Sequence, residues 1–335
     1  MIELLPKSKN HRILSITHQQ DIDGLFCGAI LKNAFPDTFV YLTNYGYNNM
    51  LKIANTIENN TSKSPKGGTI IISDLSADNI REIEQIRNAF SKAKDHGWNL
   101  IWIDHHFWRP EVIETVKTFA TPIVSSDSNY KCASEIMCEA LNIKRTACIR
   151  MAKFAHAADF RTEDLNTFPP LPELVKYYLS LPGYYKQLQA VVSKASKGIF
   201  WDEDFQEEYD NKYLPLKKIA IKDALDTLTV TSINNYKIGV IESPRILSKG
   251  LLADIVYENH GDLDLVFLYA PDGKTSIRRK KGSNIRCDII AQKMGGGGHE
   301  YAAAGMIKPS SVDASNESIR IEKKDVFDVL QNILS

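Results

Sequence analysis

The chain has 335 residues, 43% of them hydrophobic and 24% charged, with 41 basic side chains balanced by 41 acidic ones. That length exceeds one typical domain of roughly 100–200 residues, and no apolar run is long enough to cross a bilayer. A balanced charge argues against wrapping a long nucleic acid, which favours a basic excess, and points to a small or short anionic substrate. The N-terminal MIELLPKSKNHR lacks the apolar core of a signal peptide, so a cytoplasmic protein is expected. Cys27, Cys132, Cys138, Cys148 and Cys287 are odd in number and form no C-x-x-C pair. They read as buried free thiols, with neither a disulfide framework nor a zinc ribbon.

From the N-terminus, strand and helix signals alternate. RILSIT (12–17), TFVYLT (38–43), GTIIIS (68–73) and NLIWI (99–103) are apolar runs of strand length. Between the last two, DNIREIEQIRNAFSKAKDHG (78–97) places Ile80, Ile83, Ile86 and Phe90 at helical spacing, with Gly97 as a stop. Such alternation predicts a mostly parallel sheet covered by helices on both faces. Residues 133–160 are helical in pattern. Pro169, Pro170, Pro172 and Pro182 punctuate residues 169–200, and helical sequence continues to 226.

A different pattern starts near 227. TLTVTSINNYKIGVIES predicts two strands around Asn234-Asn235, and LDLVFLYAPDGKTSIRRK two more around Pro271-Asp272-Gly273. Helices are expected at 249–261 and 285–294, and a last one after the polar stretch 313–320. The chain therefore reads as a first domain over 1–195, a helical, charged linker over 196–226, and a smaller α/β domain over 227–335.

Three of the predicted strands run into the same kinds of residue. RILSIT is followed by His18, Asp21 and Asp23, GTIIIS by Asp74, and NLIWI by Asp104, His105 and His106. In an open parallel sheet the carboxyl ends of the strands share one edge, where ligands bind at the switch in strand order, so these groups would converge. Crowded carboxylates raise one another's pKa unless a cation neutralises them. Asp and His donors without Cys suit Mn²⁺, Mg²⁺, Fe²⁺ or Co²⁺ better than a structural zinc. The carboxylates exceed the needs of one ion, which points to a pair about 3.5–4 Å apart. Taken singly, each residue has a plainer reading: Asp74 as a helix N-cap, HQQDIDG as a turn, His18 as a satisfied histidine. Buried together, Asp104, His105 and His106 would need partners that a strand end does not supply.

With MGGGGHEYAAAG (294–305) added, the sequence resembles the DHH phosphoesterase superfamily. The glycine-rich segment is similar to the signature of the DHHA1 domain found in RecJ-type exonucleases, nanoRNase and pAp phosphatase enzymes, and cyclic-dinucleotide phosphodiesterases. The resemblance implies an N-terminal parallel-sheet DHH domain, a smaller C-terminal α/β DHHA1 domain and an active-site cleft between them. It implies two divalent metal ions as cofactors, manganese first, with magnesium or cobalt as alternatives. By matching motifs, His18 and Asp21 would hold one ion, Asp23, His105 and Asp159 (in HAADF, 156–160) the other, and Asp74 would bridge them. Asp104 would orient a neighbouring histidine, and His106 would face the substrate phosphate. The first motif departs from the commoner branch: only Gln19 and Gln20 separate His18 from Asp21 where that branch has three residues, while Asp21 and Asp23 keep D-x-D-G.

In the second domain, the glycines Gly295 to Gly298 would let backbone approach a ligand and present N–H groups to an anion, with His299 as a further donor. A helix C-cap is the plainer alternative. AAAG (302–305) reads as close packing of small residues. SIRRKK (276–281) reads as a cationic strand edge, yet the family carries an arginine at the position resembling Arg278 that grips phosphate or base, with Arg279 as its rival. The implied substrate-binding set is Arg278, Arg279, Gly296, Gly297, Gly298 and His299. The expected activity is hydrolysis of short single-stranded RNA or DNA, or of a phosphorylated nucleotide, by a metal-activated water, as in a nanoRNase or pAp phosphatase. A RecJ-like single-strand exonuclease and a non-catalytic nucleotide-binding module are the alternatives. A homodimer is compatible with the resemblance, and no membrane association is expected.

Overall fold

A computed structural model of the chain describes residues 5, 11–62, 67–76, 80–125, 130–307 and 321–334. The chain divides into two compact units, Met1–Gln206 and Glu207–Ser335.

The first unit is built on five parallel strands: β1 (Ile13–His18), β2 (Phe39–Thr43), β3 (Gly68–Ser73), β4 (Trp98–Asp104) and β5 (Thr121–Val124), in the order β2-β1-β3-β4-β5. The helices α1 (Ile22–Ala34), α2 (Tyr47–Thr61), α3 (Ile80–Asp95) and α4 (Pro110–Lys117) join them in turn. β1 and β3 are buried along their whole length, as strands covered on both faces must be. On one face Leu14, Ile16, Ile70, Ile72 and Trp102 pack with Met50 and Ile53 of α2, Ile83, Ile86 and Phe90 of α3, and Val112 of α4. Ile80, expected in the same stripe of α3, is exposed in the helix's first turn. Thr17 points the other way and donates from Oγ1 to the Gly24 carbonyl at 2.6 Å, which sets α1 on the opposite face.

The expected helical stretch 133–160 is two helices, α5 (Ala133–Ala140) and α6 (Thr146–Phe160), because Asn142 adopts a left-handed backbone with φ 52° between them. Beyond them, α7 (Leu171–Ser180) carries Pro172 in its first turn, where no N–H is missed, and α8 (Tyr185–Ala195) comes next. Side chains of α8 cover the edge strand β2: Tyr185 Oη accepts from the Leu42 N–H, and Gln189 Nε2 donates to the Val40 carbonyl at 3.1 Å. The strand β5 was not expected from the sequence. Its TPIV is short and contains Pro122, which only an edge position tolerates. All five cysteines are free and buried.

Helical chain continues through α9 (Glu203–Glu208) and α10 (Leu214–Asp226). The second unit holds a six-stranded mixed sheet of β6 (Thr229–Ile233), β7 (Tyr236–Glu242), β8 (Leu265–Tyr269), β9 (Lys274–Arg279), β10 (Gly297–Gly298) and β11 (Ala302–Met306), ordered β10-β11-β9-β8-β7-β6. Among its described strands only β7 and β8 pair in parallel, joined by α11 (Lys249–Asn259). β8 is the centre of the unit. Its Leu265, Phe267 and Tyr269 join the core that holds residues of α12 (Cys287–Gln292) and α13 (Lys323–Leu334), while Val266 and Leu268 join the core of α10 and α11. Both expected hairpins are present, with Asn234 at φ 52° and Gly273 at φ 85° in their turns.

AAAG, expected as close packing of small residues, is most of strand β11, with which the glycine run pairs as β10. The expected polar stretch 313–320 and the start of the helix expected from 78 lie outside the described residues. No helix among the described residues is long and apolar enough to cross a membrane.

Candidate metal centre

Strand order reverses around β1, which has β2 on one side and β3 on the other. β1, β3 and β4 are therefore neighbours in register, and their carboxyl ends bring His18, Asp74 and Asp104 to one edge of the sheet. The D-x-D-G turn adds Asp21 and Asp23 at the start of α1. Its glycine has a packing reason: a Cβ on Gly24 would meet the His18 carbonyl oxygen at 2.4 Å. Asp21 is the N-cap of α1, accepting from the Gly24 N–H through Oδ1, and its other oxygen faces His18. The turn of HQQDIDG therefore also sets Asp21 against His18.

Three groups of donors result, each within 4.8 Å. His18 Nδ1 lies 2.9 Å from Asp21 Oδ2 and 3.4 Å from Asp74 Oδ2. His105 Nε2 lies 3.4 Å from Asp74 Oδ1, 3.7 Å from Asp159 Oδ2 and 3.9 Å from Asp23 Oδ2. His106 Nδ1 is 3.9 Å from Asp74 Oδ1 and completes the third group with His105. Asp74 belongs to two of the three and points one oxygen at each. It has a left-handed backbone at φ 54°, which costs an aspartate less than most residues. Leu75 and Ser76 behind it are not helical, so Asp74 caps no helix.

Hydrogen bonds show what the site is arranged to hold. Asn44 Oδ1 accepts from the Tyr45 N–H at 2.9 Å, which fixes it as the oxygen. His18 Nε2, 3.2 Å away, must then donate its proton to it. In the neutral ring that leaves the Nδ1 lone pair aimed at two carboxylates, an arrangement that a cation, or a proton on Nδ1, relieves. Neither His18 Nδ1 nor Asp74 Oδ2 has a hydrogen bond of sound geometry, although both atoms are buried. Asp23 is held differently: its oxygens accept from the Ala133 and Ser134 N–H groups at 2.7 and 2.9 Å, at the N-terminus of α5. The donor set fits a hard or borderline divalent cation.

Asp104 is fully buried and has both oxygens occupied. Oδ1 lies 2.8 Å from His106 Nδ1, and Oδ2 accepts from Trp108 Nε1 at 2.6 Å. His106 therefore turns its Nε2 outward, where Tyr45 Oη stands at 3.4 Å. The Tyr45 ring also rests on His18, 4.4 Å between centroids. Asn44, Tyr45 and Trp108 are contributors that sequence reading missed. Trp108 had a signal, four residues after Asp104, whereas Asn44 and Tyr45 come after β2 and reach the site only because β2 pairs with β1.

Residues 12–160, from the start of β1 to the end of α6, match the DHH family, N-terminal domain. Those residues are a DHH-family domain. Among curated proteins, a 3',5'-cyclic-nucleotide phosphodiesterase of Helicobacter pylori (strain ATCC 700392 / 26695) is 22% identical over 355 residues, covering 92% of this chain and 96% of that protein. Among solved structures, a pGpG-specific phosphodiesterase of Vibrio cholerae shares the fold at 14% identity and a TM-score of 0.51, over 97% of this chain and 98% of that one. An uncharacterized protein of Helicobacter pylori G27 matches 97% of this chain and 99% of its own at 19% identity and a TM-score of 0.46.

Electrostatics in the DHH domain reflect crowding. Burial alone would lower the His105 imidazole, but Asp74, Asp23 and Asp159 raise it to about 10. His106 likewise rises to about 9 against its burial, chiefly through Asp104, and Asp21 and Asp74 carry His18 well above its usual range. Burial, with Asp74 beside it, pushes Asp23 up to about 6. Burial also raises Asp159 to about 7, although His105 opposes it. Asp104 is buried too, yet His106 holds it low. Without a metal, protons do the neutralising.

The remaining expected residues lie in the second unit. Arg278 is half-buried on β9, opposite Ala302 of β11. Arg279 donates from Nη1 to the Ile285 carbonyl at 2.9 Å, a structural bond within its own unit. Gly295, at φ 68°, and Gly296 close the end of α12, with the Gly296 N–H donating to the Ala291 carbonyl at 2.9 Å. The C-cap reading therefore accounts for these two. A Cβ on Gly296 would meet the Ala304 carbonyl oxygen at 2.0 Å, and one on Gly298 would meet Ala303 Cα at 2.7 Å, so β11 requires both glycines. Gly297 faces open space. His299 is exposed at the β10–β11 turn, its ring stacked parallel to Tyr301 at 5.3 Å.

Proposed function

We propose that the chain is a metal-dependent phosphoesterase that hydrolyses a phosphodiester in a short nucleotide, a dinucleotide foremost. The observation that carries the reading is Asp74, whose two carboxylate oxygens face two separate groups of histidine and aspartate. His18, Asp21 and Asp74 would hold one ion, and Asp23, His105, Asp159 and Asp74 a second. Bound there, divalent ions, manganese foremost, would supply a water ionised near neutral pH and neutralise the phosphoryl oxygens. The chain's own residues do the rest. Asp104 fixes the His106 ring through Nδ1 and leaves Nε2 turned outward, where a protonated ring can donate to a phosphoryl oxygen as charge builds there. Trp108 in turn holds Asp104.

In the second unit, Arg278, Gly297, Gly298 and His299 are the proposed nucleotide contacts. Arg279 is the weaker candidate, its guanidinium being engaged by Ile285. The DHH domain and the phosphodiesterase relative from Helicobacter pylori support phosphodiester chemistry, and the even charge balance supports a small substrate. That relative also favours a second reading, a 3',5'-cyclic mononucleotide as substrate.

The test is turnover with Mn²⁺ across dinucleotides, pAp, cyclic mononucleotides and long single strands of RNA and DNA, with Asp74→Asn as control. Dinucleotides are expected to turn over fastest, and Asp74→Asn to lower the rate more than about 100-fold, beyond the scale of losing a ligand's supporting partner. Fastest turnover of cyclic mononucleotides would select the second reading. Processive degradation of long strands would make the chain RecJ-like, and metal binding without any hydrolysis would make it a binding module.

A further inference from the structure

A row of rings leaves the candidate metal centre in one direction. The His105 ring meets Phe160 at 6.3 Å between centroids, and Phe160 meets Tyr130 at 6.1 Å, both contacts near-perpendicular. Phe160 directly succeeds Asp159, so its position is tied to the same turn of α6. His156 supports it from 4.8 Å and is itself fixed by Glu135 at 2.8 Å. At the outer end, Tyr130 is 67% exposed. Its backbone has φ 40°, a conformation that bulky residues avoid.

Packing accounts for neither feature of Tyr130. A tyrosine ordinarily buries the body of its ring and wets only the hydroxyl, and backbone outliers gather where a ligand is clamped. Phe107, next to His106 in the chain and 77% exposed, meets no ring among the described residues. A preorganised ring takes a flat ligand at lower entropic cost than a loose one.

We propose that Tyr130, seated on Phe160, is the stacking surface for the nucleobase of a nucleotide whose phosphate binds at the metal centre that His105 and Asp159 would help form. The inference rests on the phosphodiesterase reading and adds where the base sits. Stacking tolerates any base, since each has a π face, and larger rings gain more, so purine nucleotides are the favoured class.

The experiment uses the full chain and a dinucleotide carrying 2-aminopurine, whose fluorescence falls on stacking, beside a matched dinucleotide with that base replaced by hydrogen. Saturable quenching is expected with the wild-type chain, lost in Tyr130→Ala and kept in Tyr130→Phe. In Tyr130→Ala the kcat/KM preference for the base-bearing dinucleotide is expected to fall about tenfold through KM, the scale of one stacked base. Equal quenching by wild type and Tyr130→Ala, or an unchanged preference, overturns the proposal. If the wild-type chain hydrolyses neither dinucleotide, the phosphodiesterase reading fails instead, and quenching still decides for or against Tyr130.

Discussion

At the scale of the residue, the candidate site is a set of charges that cannot stand alone. Groups whose folded pKa is raised bind more protons in the folded chain than in the unfolded one, so their contribution to stability falls as pH rises. His105 and His106, ordinarily near 6.5, contribute stability that is complete below that pH and is lost as pH climbs through about 10 and about 9. Asp23 and Asp159, ordinarily near 3.8, lose theirs up to about 6 and about 7. Asp21 and Asp104 are lowered, act in the opposite sense, and do so only below 3.8. The melting temperature of metal-free protein is therefore expected to fall between pH 5 and 9. Added Mn²⁺ should raise it more at the alkaline end, because binding displaces protons; calorimetry in buffers of different ionisation enthalpy would count the protons released. Trp108→Phe gives a separate check. It strips the buried Asp104 of one donor, which should cost about 1–3 kcal/mol in thermal unfolding and lower kcat more than it raises KM.

At the scale of elements, strand packing gives two glycines of the run a reason of their own. Gly296 and Gly298 sit where β11 passes too close for any Cβ, whereas Gly297 looks into open space. Gly296→Ala should therefore destabilise the chain by about 2–4 kcal/mol, as overpacking against backbone does, while Gly297→Ala should leave the melting temperature nearly unchanged. Comparable melting losses for both would contradict this geometry. The apolar runs of β3 and β4 were legible because III (70–72) and LIWI (100–103) are buried on both faces and continuous, while β1 was legible through its apolar Ile13, Leu14 and Ile16. The edge strand β5, with Pro122, and the two-residue β10 carry no such signal, since both are defined by what pairs with them.

Over the whole molecule, each compact unit has hydrophobic clusters of its own, and every candidate metal ligand among the described residues belongs to the first. A fragment ending at Gln206 should therefore retain Mn²⁺ binding by calorimetry, and a fragment starting at Glu207 should show none. Equal binding by both fragments would place the metal elsewhere. By itself the sequence determined the alternating architecture and the residue types at the strand ends. His18, Asp21, Asp23, Asp74, Asp104, His105 and His106 come after apolar runs closely enough for one rule about parallel sheets to bring them together. Only the tertiary structure decided which oxygen of Asp74 faces which histidine, that Asn44 sets the His18 tautomer, and that Tyr130 stands bare beside Phe160. Those facts depend on strand order and on contacts between residues far apart in the chain, such as Asp23 with Ala133 and Ser134, and local pattern holds no record of either.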